Sequence, residues 1–238
     1  MSRTLLDIRQ QVKDDLDLND ETFITDIDLD RWANDAIEAA ETEIHGMYED
    51  YFLSTLDVPI TAGNVEIDYP TDIYANKIRK ILFKESNFTN TASHEVRRER
   101  DLIRAESADL YNSDSTNPVL SWVPVNQAGV GRKIRLYPKS GRTGVLTIYY
   151  LRNAARLTLD TDVCDIDEFE RYVIQSIKTQ AFLKDGDPRS ADSKGLEEQL
   201  KKDMILSLAN MSPDNNDEVE PDFSHYDDMA GGNDTWNY

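Results

Sequence analysis

The sequence predicts an α+β protein: an antiparallel helical bundle with an inserted small antiparallel β-sandwich or barrel, and an acidic C-terminal arm that is disordered or ordered by a partner. Three observations predict it. Apolar residues recur at steps of three and four near both ends of the chain, the period changes to two in the middle, and the last stretch has no period at all. The expected divisions are the first bundle helices at 1–55, the β-domain at 56–158, a closing helical hairpin at 159–212 and the arm at 213–238. A chain of 238 residues can bury roughly 70% of its unfolded surface, so it needs no disulfide or metal to fold.

The first helix is expected from Thr4 to Leu16. Leu5, Ile8, Val12 and Leu16 make its stripe, and Thr4 with Asp7 forms a capping box. The second runs from about Asp30 toward Tyr51, with Leu29, Trp32, Ala36, Ala40, Ile44, Met47 and Tyr51 on one face and Asp35, Glu38, Glu41 and Glu49 on the other. The period then becomes two. Leu56, Val58 and Ile60 alternate with polar positions. Val65 and Ile67 follow Ala62-Gly63-Asn64, which reads as a hairpin turn. Segments 78–84, 119–125, 133–139 and 144–152 are further strands, the last two joined by SGRTG. Residues 92–110 read as a basic helix or an exposed loop. A third helix begins after Asp165, with Glu168 completing a capping box. Ile166, Phe169, Val173, Ile177 and Ala181 form its stripe, and Gly186 and Pro188 stop it. The fourth spans about Ala191 to Asn210, with Leu196, Leu200, Met204, Leu208 and Met211 on one side. The short DGDPRS link makes the last two helices antiparallel neighbours.

Charge is distributed unevenly. The net charge is −20, yet 77–156 holds 15 basic and 7 acidic residues, a net of +8, which leaves −28 for the rest. A basic middle and acidic ends give one chain two unlike surfaces, through which copies attract each other; solvated faces of a basic inserted domain give the same pattern. Arg97, Arg98, Arg100 and Arg104 are interleaved with Glu95, Glu99, Asp101 and Glu106. That favours ion pairs, including contacts between subunits, over phosphate binding. From Asp214 the chain carries eight acids and no Lys or Arg, with Phe223, Tyr226, Trp236 and Tyr238 among them. Acidic segments with spaced aromatics order on a partner's surface, so these four rings are the candidate docking residues.

Catalysis leaves no mark. His45, His94 and His225 are the three histidines and Cys164 the one cysteine, with no metal-ligand spacing among them. His45 is expected on a helix surface and Cys164 packed near the start of the third helix. Asp26, Asp28 and Asp30 space like a calcium loop, but Arg31 and Ile37 stand where Gly and Glu are needed. They read as acids at a helix N-terminus. No cofactor, metal or catalytic residue is expected. A dispersed hydrolase site would need a pocket joining His45 or Cys164 to a carboxylate. There is no apolar leader at the start and no run near the ~18 residues of a membrane span, so a soluble protein is expected.

Trp32, Asn34, Asp35 and Ala36, then Ile134, Leu136, Pro138, Leu146, Ile148, Tyr149, Tyr150, Leu157 and Asp160, resemble the pattern of head-to-tail adaptor proteins of tailed, short-tailed phages, the connector or tail-tubular ring proteins. The resemblance covers about residues 4–210 and omits 92–110 and the arm. It implies a virion structural protein at the head–tail junction, assembled in the host cytoplasm. It further implies a ring, often of twelve copies, that docks on the portal, continues the DNA channel and offers a platform to an adjacent tail or second ring protein. The genome would pass through without specific binding. The alternative is an acidic binding module, a DNA mimic or inhibitor with a single protein partner.

Overall fold

Two capping boxes start the N-terminal helices. In the computed structural model, which describes residues 3–18, 23–64, 66–86, 93–98, 121–129, 131–137 and 143–211, Thr4 accepts from the Asp7 amide at the head of α1 (Leu5–Leu16), and Thr25 accepts from Asp28 at the head of α2 (Asp26–Met47). The second box moves the expected start of α2 back by four residues. Asp26 and Asp28 thus occupy the first turn, as acids do at the positive end of a helix. A 3-10 turn, Glu49–Phe52, leads from α2 into the β-domain.

The closing hairpin is α3 (Glu170–Asp185) and α4 (Ser190–Met211). Gly186 ends α3 in the left-handed region, φ 70°. The expected Asp165–Glu168 box is absent: Phe169 holds the cap position without a side-chain hydrogen bond, because Asp165 is committed to the Ala155 amide and Arg152. α1, α2, α3 and α4 share one core, in which Leu5, Ile8, Ala36, Ile37, Ile44, Val173, Ile177, Met204 and Leu208 are buried together with Cys164 and Ile166. The expected stripe on α2 is right except that Met47 at its end is exposed, and Ile37 in its middle is buried as well. On α4 only Ser193, Met204 and Leu208 are buried. Gln175 donates to Ser193 Oγ at 2.8 Å and Thr179 Oγ1 lies 3.0 Å from it, so a polar knot seats the start of α4.

Between α2 and α3 lie β1 (Leu53–Ile60), β2 (Glu66–Asp68), β3 (Ile73–Glu85), β4 (His94–Glu95), β5 (Arg97–Arg98), β6 (Ser121–Gln127), β7 (Gly131–Tyr137) and β8 (Gly144–Arg152). They form two sheets, in the orders β1-β8-β3-β4 and β2-β7-β6-β5, all antiparallel except β5 with β6. Ile60, Ile81, Phe83, Leu146 and Ile148 of the first sheet meet Ile67, Trp122, Ile134 and Leu136 of the second in one core. That makes the domain a sandwich rather than a barrel.

Two expectations fail here. β1 and β2 are not a hairpin. The turn at 61–64 exists, with Gly63 at φ 95°, but β1 pairs with β8 and β2 with β7. Ile60 and Ile67 face each other across the sandwich instead of lying side by side. The link from β7 to β8 crosses between the sheets in the same way. The second failure is at His94–Glu95 and Arg97–Arg98, read as helix or loop but folded as short edge strands. Their alternation with Val96, which is buried in the sandwich core, overrides the local helical charge pattern. Residues 92 and 99–110 lie outside the described residues.

Candidate assembly surfaces

The bundle and the sandwich meet at a joint built on the end of α2. Glu41 and His45 are one helical turn apart and face inward, 4% and 3% exposed. Sequence reading placed both on the surface, because a charged residue on a helix usually stays wet. Glu41 has polar partners that offset its burial, and His45 is covered by aromatic rings. Glu41 Oε1 accepts from the Ala154 amide at 3.0 Å, where the chain leaves β8, and Arg156 reaches Glu41 at 3.5 Å and Glu38 at 3.2 Å. Burial raises the Glu41 pKa, and the Ala154 amide and Arg156 oppose the rise. His45 stacks on Tyr74 of β3, ring centroids 3.6 Å apart and 13° from parallel, with Phe52 at 5.2 Å. Burial and then Lys77 push the His45 pKa down, so the ring is neutral near neutral pH.

Ion pairs surround this joint. Lys77 meets Glu49 at 2.8 Å, Arg79 meets Glu49 and Asp50, and Arg152 meets Asp165 at 2.5 Å while its guanidinium lies 5.1 Å from the Phe52 ring. His45 Nε2 is 3.8 Å from Glu41, the pairing a hydrolase reading asked for. Both groups are covered, however, and neither lines either of the two surface clefts described below. Cys164 is buried near the start of α3, as expected. Among the described residues no group of three or more His, Cys, Asp or Glu could hold a metal ion, and no helix is long and apolar enough to cross a membrane.

The residues that carried the resemblance form the frame of the molecule. The Asn34 side chain donates to the Leu157 carbonyl and accepts from the Leu157 amide, both at 2.9 Å, clamping the strand-exit segment onto α2. Trp32 and Ala36 are buried beneath it. Asp160 pairs with Arg9, which also reaches Asp26 at 3.4 Å and Asp30 at 3.2 Å. Ile134, Leu136, Leu146, Ile148 and Tyr150 fill the sandwich. Pro138 lies outside the described residues.

Much of the basic middle is neutralised within the chain. Besides the pairs at the joint, Lys80 meets Glu95, Lys133 meets Asp68 and Arg135 meets Glu66. Lys84, Arg97, Arg98 and Arg132 have no ion-pair partner among the described residues. Arg97 and Arg98 are exposed on edge strand β5, with the Arg98 guanidinium 5.3 Å from the Trp122 ring. Arg100 and Arg104 lie outside the described residues, as do Phe223, Tyr226, Trp236 and Tyr238. Exposed apolar side chains occur on several faces: Met47, Leu53 and Leu56 toward the sandwich, Leu206 and Met211 on α4, and Leu6, Leu159 and Val163 near the start of α1. At the bundle end remote from the sandwich, where α2 starts and α3 ends, Ile27 is 80% exposed and Phe23 and Leu183 are exposed too. Lys184, paired with Asp28 at 2.8 Å and 4.9 Å from the Phe23 ring, marks that end. Sequence reading missed this patch. Ile27 and Phe23 sit before the start it assigned to α2, so the periodic stripe drew no attention to them.

Two surface clefts are described. One lies between the starts of α3 and the second half of α4, lined by Phe169, Arg171, Tyr172 and Asp203 among others. The other, of about 380 Å³, lies on the sandwich and is lined by Tyr69, Ala75, Asn76, Arg98, Pro124, Val125, Asn126 and Arg132.

A helical bundle interrupted by a β-sandwich, with an asparagine clamp holding the strand-exit segment on α2, is the α+β architecture that the resemblance to phage adaptors implies. Its family model agrees: the chain belongs to the SU10 adaptor protein family, whose model matches residues 3–218. No curated protein matches the chain. As a phage adaptor, it interacts in general terms with portal and tail components and belongs to the virion.

Proposed function

We propose that the protein assembles at the head–tail junction into a ring, of twelve copies in the form the resemblance implies. The ring docks on the portal, continues the DNA channel and presents a platform to the next tail protein. The observation that carries this reading is the pair of unlike surfaces on one chain. An exposed apolar end of the bundle, around Phe23 and Ile27, lies remote from a sandwich whose edge carries Arg97 and Arg98. Unlike patches in head-to-tail contact close a ring. Arg97 and Arg98, with Arg100 and Arg104, are the proposed charge contacts between subunits. Phe223, Tyr226, Trp236 and Tyr238 of the arm are proposed to dock on a neighbouring virion component. Asp35 and Glu38 remain exposed on α2 and would repel phosphate if that face lines the channel. The role is structural, without catalysis or cofactor.

Mass measurement of the full chain alone and with portal protein tests the reading. A large closed oligomer that forms or grows on portal supports it, and an Arg97→Glu, Arg98→Glu double variant should shift the population toward single chains. A strict monomer that ignores portal overturns it, and a tight one-to-one complex with a DNA-binding enzyme would favour the acidic-module alternative.

A further inference from the structure

The sandwich cleft has features that the ring reading does not use. Two arginines, Arg98 and Arg132, come to one mouth from different strands, β5 and β7. Neither has an ion-pair partner among the described residues. Both guanidiniums act on the Tyr69 hydroxyl, opposing the rise in its pKa that burial causes. The remaining polar lining among the described residues is Asn76 and Asn126, with no carboxylate among them. Tyr69 supplies aromatic surface, and Trp122, buried in the sandwich core, lies 5.3 Å from the Arg98 guanidinium. One wall is held by an irregular stretch of β3. Its pairing with β8 skips from Ile73 to Ile78, and Ala75 and Asn76 take positive φ values of 44° and 57°. A left-handed alanine costs about 1 kcal/mol or more. The stretch turns Tyr74 onto His45 and leaves Ala75 and Asn76 on the cleft.

A cleft with two cations and an aromatic side chain in its lining fits an acidic peptide that carries aromatic side chains. The same chain holds one. Residues 212–238 contain eight acids, no Lys or Arg, and Phe223, Tyr226, Trp236 and Tyr238. They also start from the right end of the molecule. α3 begins near the joint, with Phe169 6.2 Å from Tyr51, and ends beside the start of α2, where Lys184 meets Asp28. α4 turns back from there and Lys201 pairs with Glu43 at 2.7 Å. Met211 is ten residues further on, about 15 Å along a helix toward the joint. A 27-residue arm spans up to roughly 90 Å when extended, far more than the distance from the joint to a cleft on the adjoining sandwich requires.

We propose that in the unassembled chain the Arg98–Arg132 cleft holds the chain's own acidic arm, with carboxylates on the two guanidiniums and an aromatic side chain against Tyr69 and Val125. The proposal goes beyond the ring reading and does not depend on it. A subunit contact through Arg98 would compete with the arm for the same guanidinium.

The test is limited proteolysis of the full chain with chymotrypsin, which cuts after Phe223, Tyr226 and Trp236, with release of the arm followed by intact mass. At low salt the arm of the unaltered protein should be cut about tenfold more slowly than that of an Arg98→Glu, Arg132→Glu variant, as expected from losing two such contacts. Salt at about 0.5 M should bring the unaltered protein to the variant's rate. Asp227→Lys with Asp228→Lys alters the arm alone. It should also speed cleavage, and in the Arg98→Glu, Arg132→Glu background it should restore slow cleavage by charge exchange. If the cleft variant does not fold, the arm variant decides. Equal rates in all folded forms overturn the proposal. Protection that rises with protein concentration also overturns it, because the arm would then sit on another copy. Oligomer mass read from the same samples keeps a failure of the ring reading separate from a failure of this one.

Discussion

The bundle and the sandwich are both built around apolar cores, yet they are specified in different ways. Among the described residues, seven of the eight buried polar residues, including Glu41, His45, Gln175, Thr179 and Ser193, belong to the bundle, and Ser121 belongs to the sandwich. Helices slide and rotate easily against one another, and the buried hydrogen bonds of the bundle fix which turn of α4 meets which turn of α3 and where the chain returns from β8. Strands are fixed by ladder registers such as Leu53↔Leu151 and Ile60↔Gly144, so the sandwich needs few polar contacts inside. What it needs is room at the places where its strands change sheets. The lesson is that the bundle is vulnerable through lost polar partners and the sandwich through added atoms.

The largest effect should come from adding one carbon at Gly144. A Cβ there would lie 2.4 Å from the Lys84 carbonyl oxygen and 2.4 Å from the Phe83 ring. Gly144 pairs with Ile60 on one side and Glu85 on the other, so nothing can shift cheaply. Gly144→Ala should cost about 3 kcal/mol. In hydrogen exchange, β3 and β8 should lose protection while α2 and α3 keep theirs. Equal loss in both regions would break the comparison.

Removing a polar partner from the bundle should cost somewhat less. Asn34→Ala leaves the Leu157 amide and carbonyl without their partner, at a cost of about 2 kcal/mol. Chemical denaturation checks the size, and loss of protection at residues 154–160, with the sandwich unchanged, checks the place.

The smallest effect is a pH dependence confined to the joint. The folded pKa of His45 lies below its ordinary value of 6.5, so its contribution is fully present above that value. It is lost as pH falls toward the folded pKa, because the unfolded chain then binds the extra proton. The ring faces Glu41 on its own helix, Lys77 and Tyr74 from β3, and Glu49 and Phe52 from the intervening turn. Stability measured from pH 7.5 to 5.5 should fall in the unaltered protein and fall less steeply in His45→Phe. Parallel curves would remove His45 from the account of the joint.

This division also governs what could be read in advance. Helical stripes report burial locally, so Ile8, Val173 and Met204 were legible as core, and the Thr4–Asp7 cap with them. Strand alternation shows which side chains point inward but not which strand lies alongside. The segments of the sandwich were therefore legible while the crossings at 61–64 and between β7 and β8 were not. Glu41 and His45 were misplaced for the same reason: their partners, Ala154 and Tyr74, come from other parts of the chain. Among the proposed contacts, Arg97 and Arg98 stood out as a basic run. Arg132 did not, since its relation to Arg98 exists only once β7 and β5 flank β6.

The insertion of the sandwich between Met47 and Glu170 has a consequence for synthesis. While the ribosome is still making the middle of the protein, the first two helices are waiting for companions more than a hundred residues away, and β1 has no neighbour until β8 emerges. Contacts this distant in sequence form late. A chain that stops before β8 should therefore complete neither core, since the bundle also needs α3 and α4.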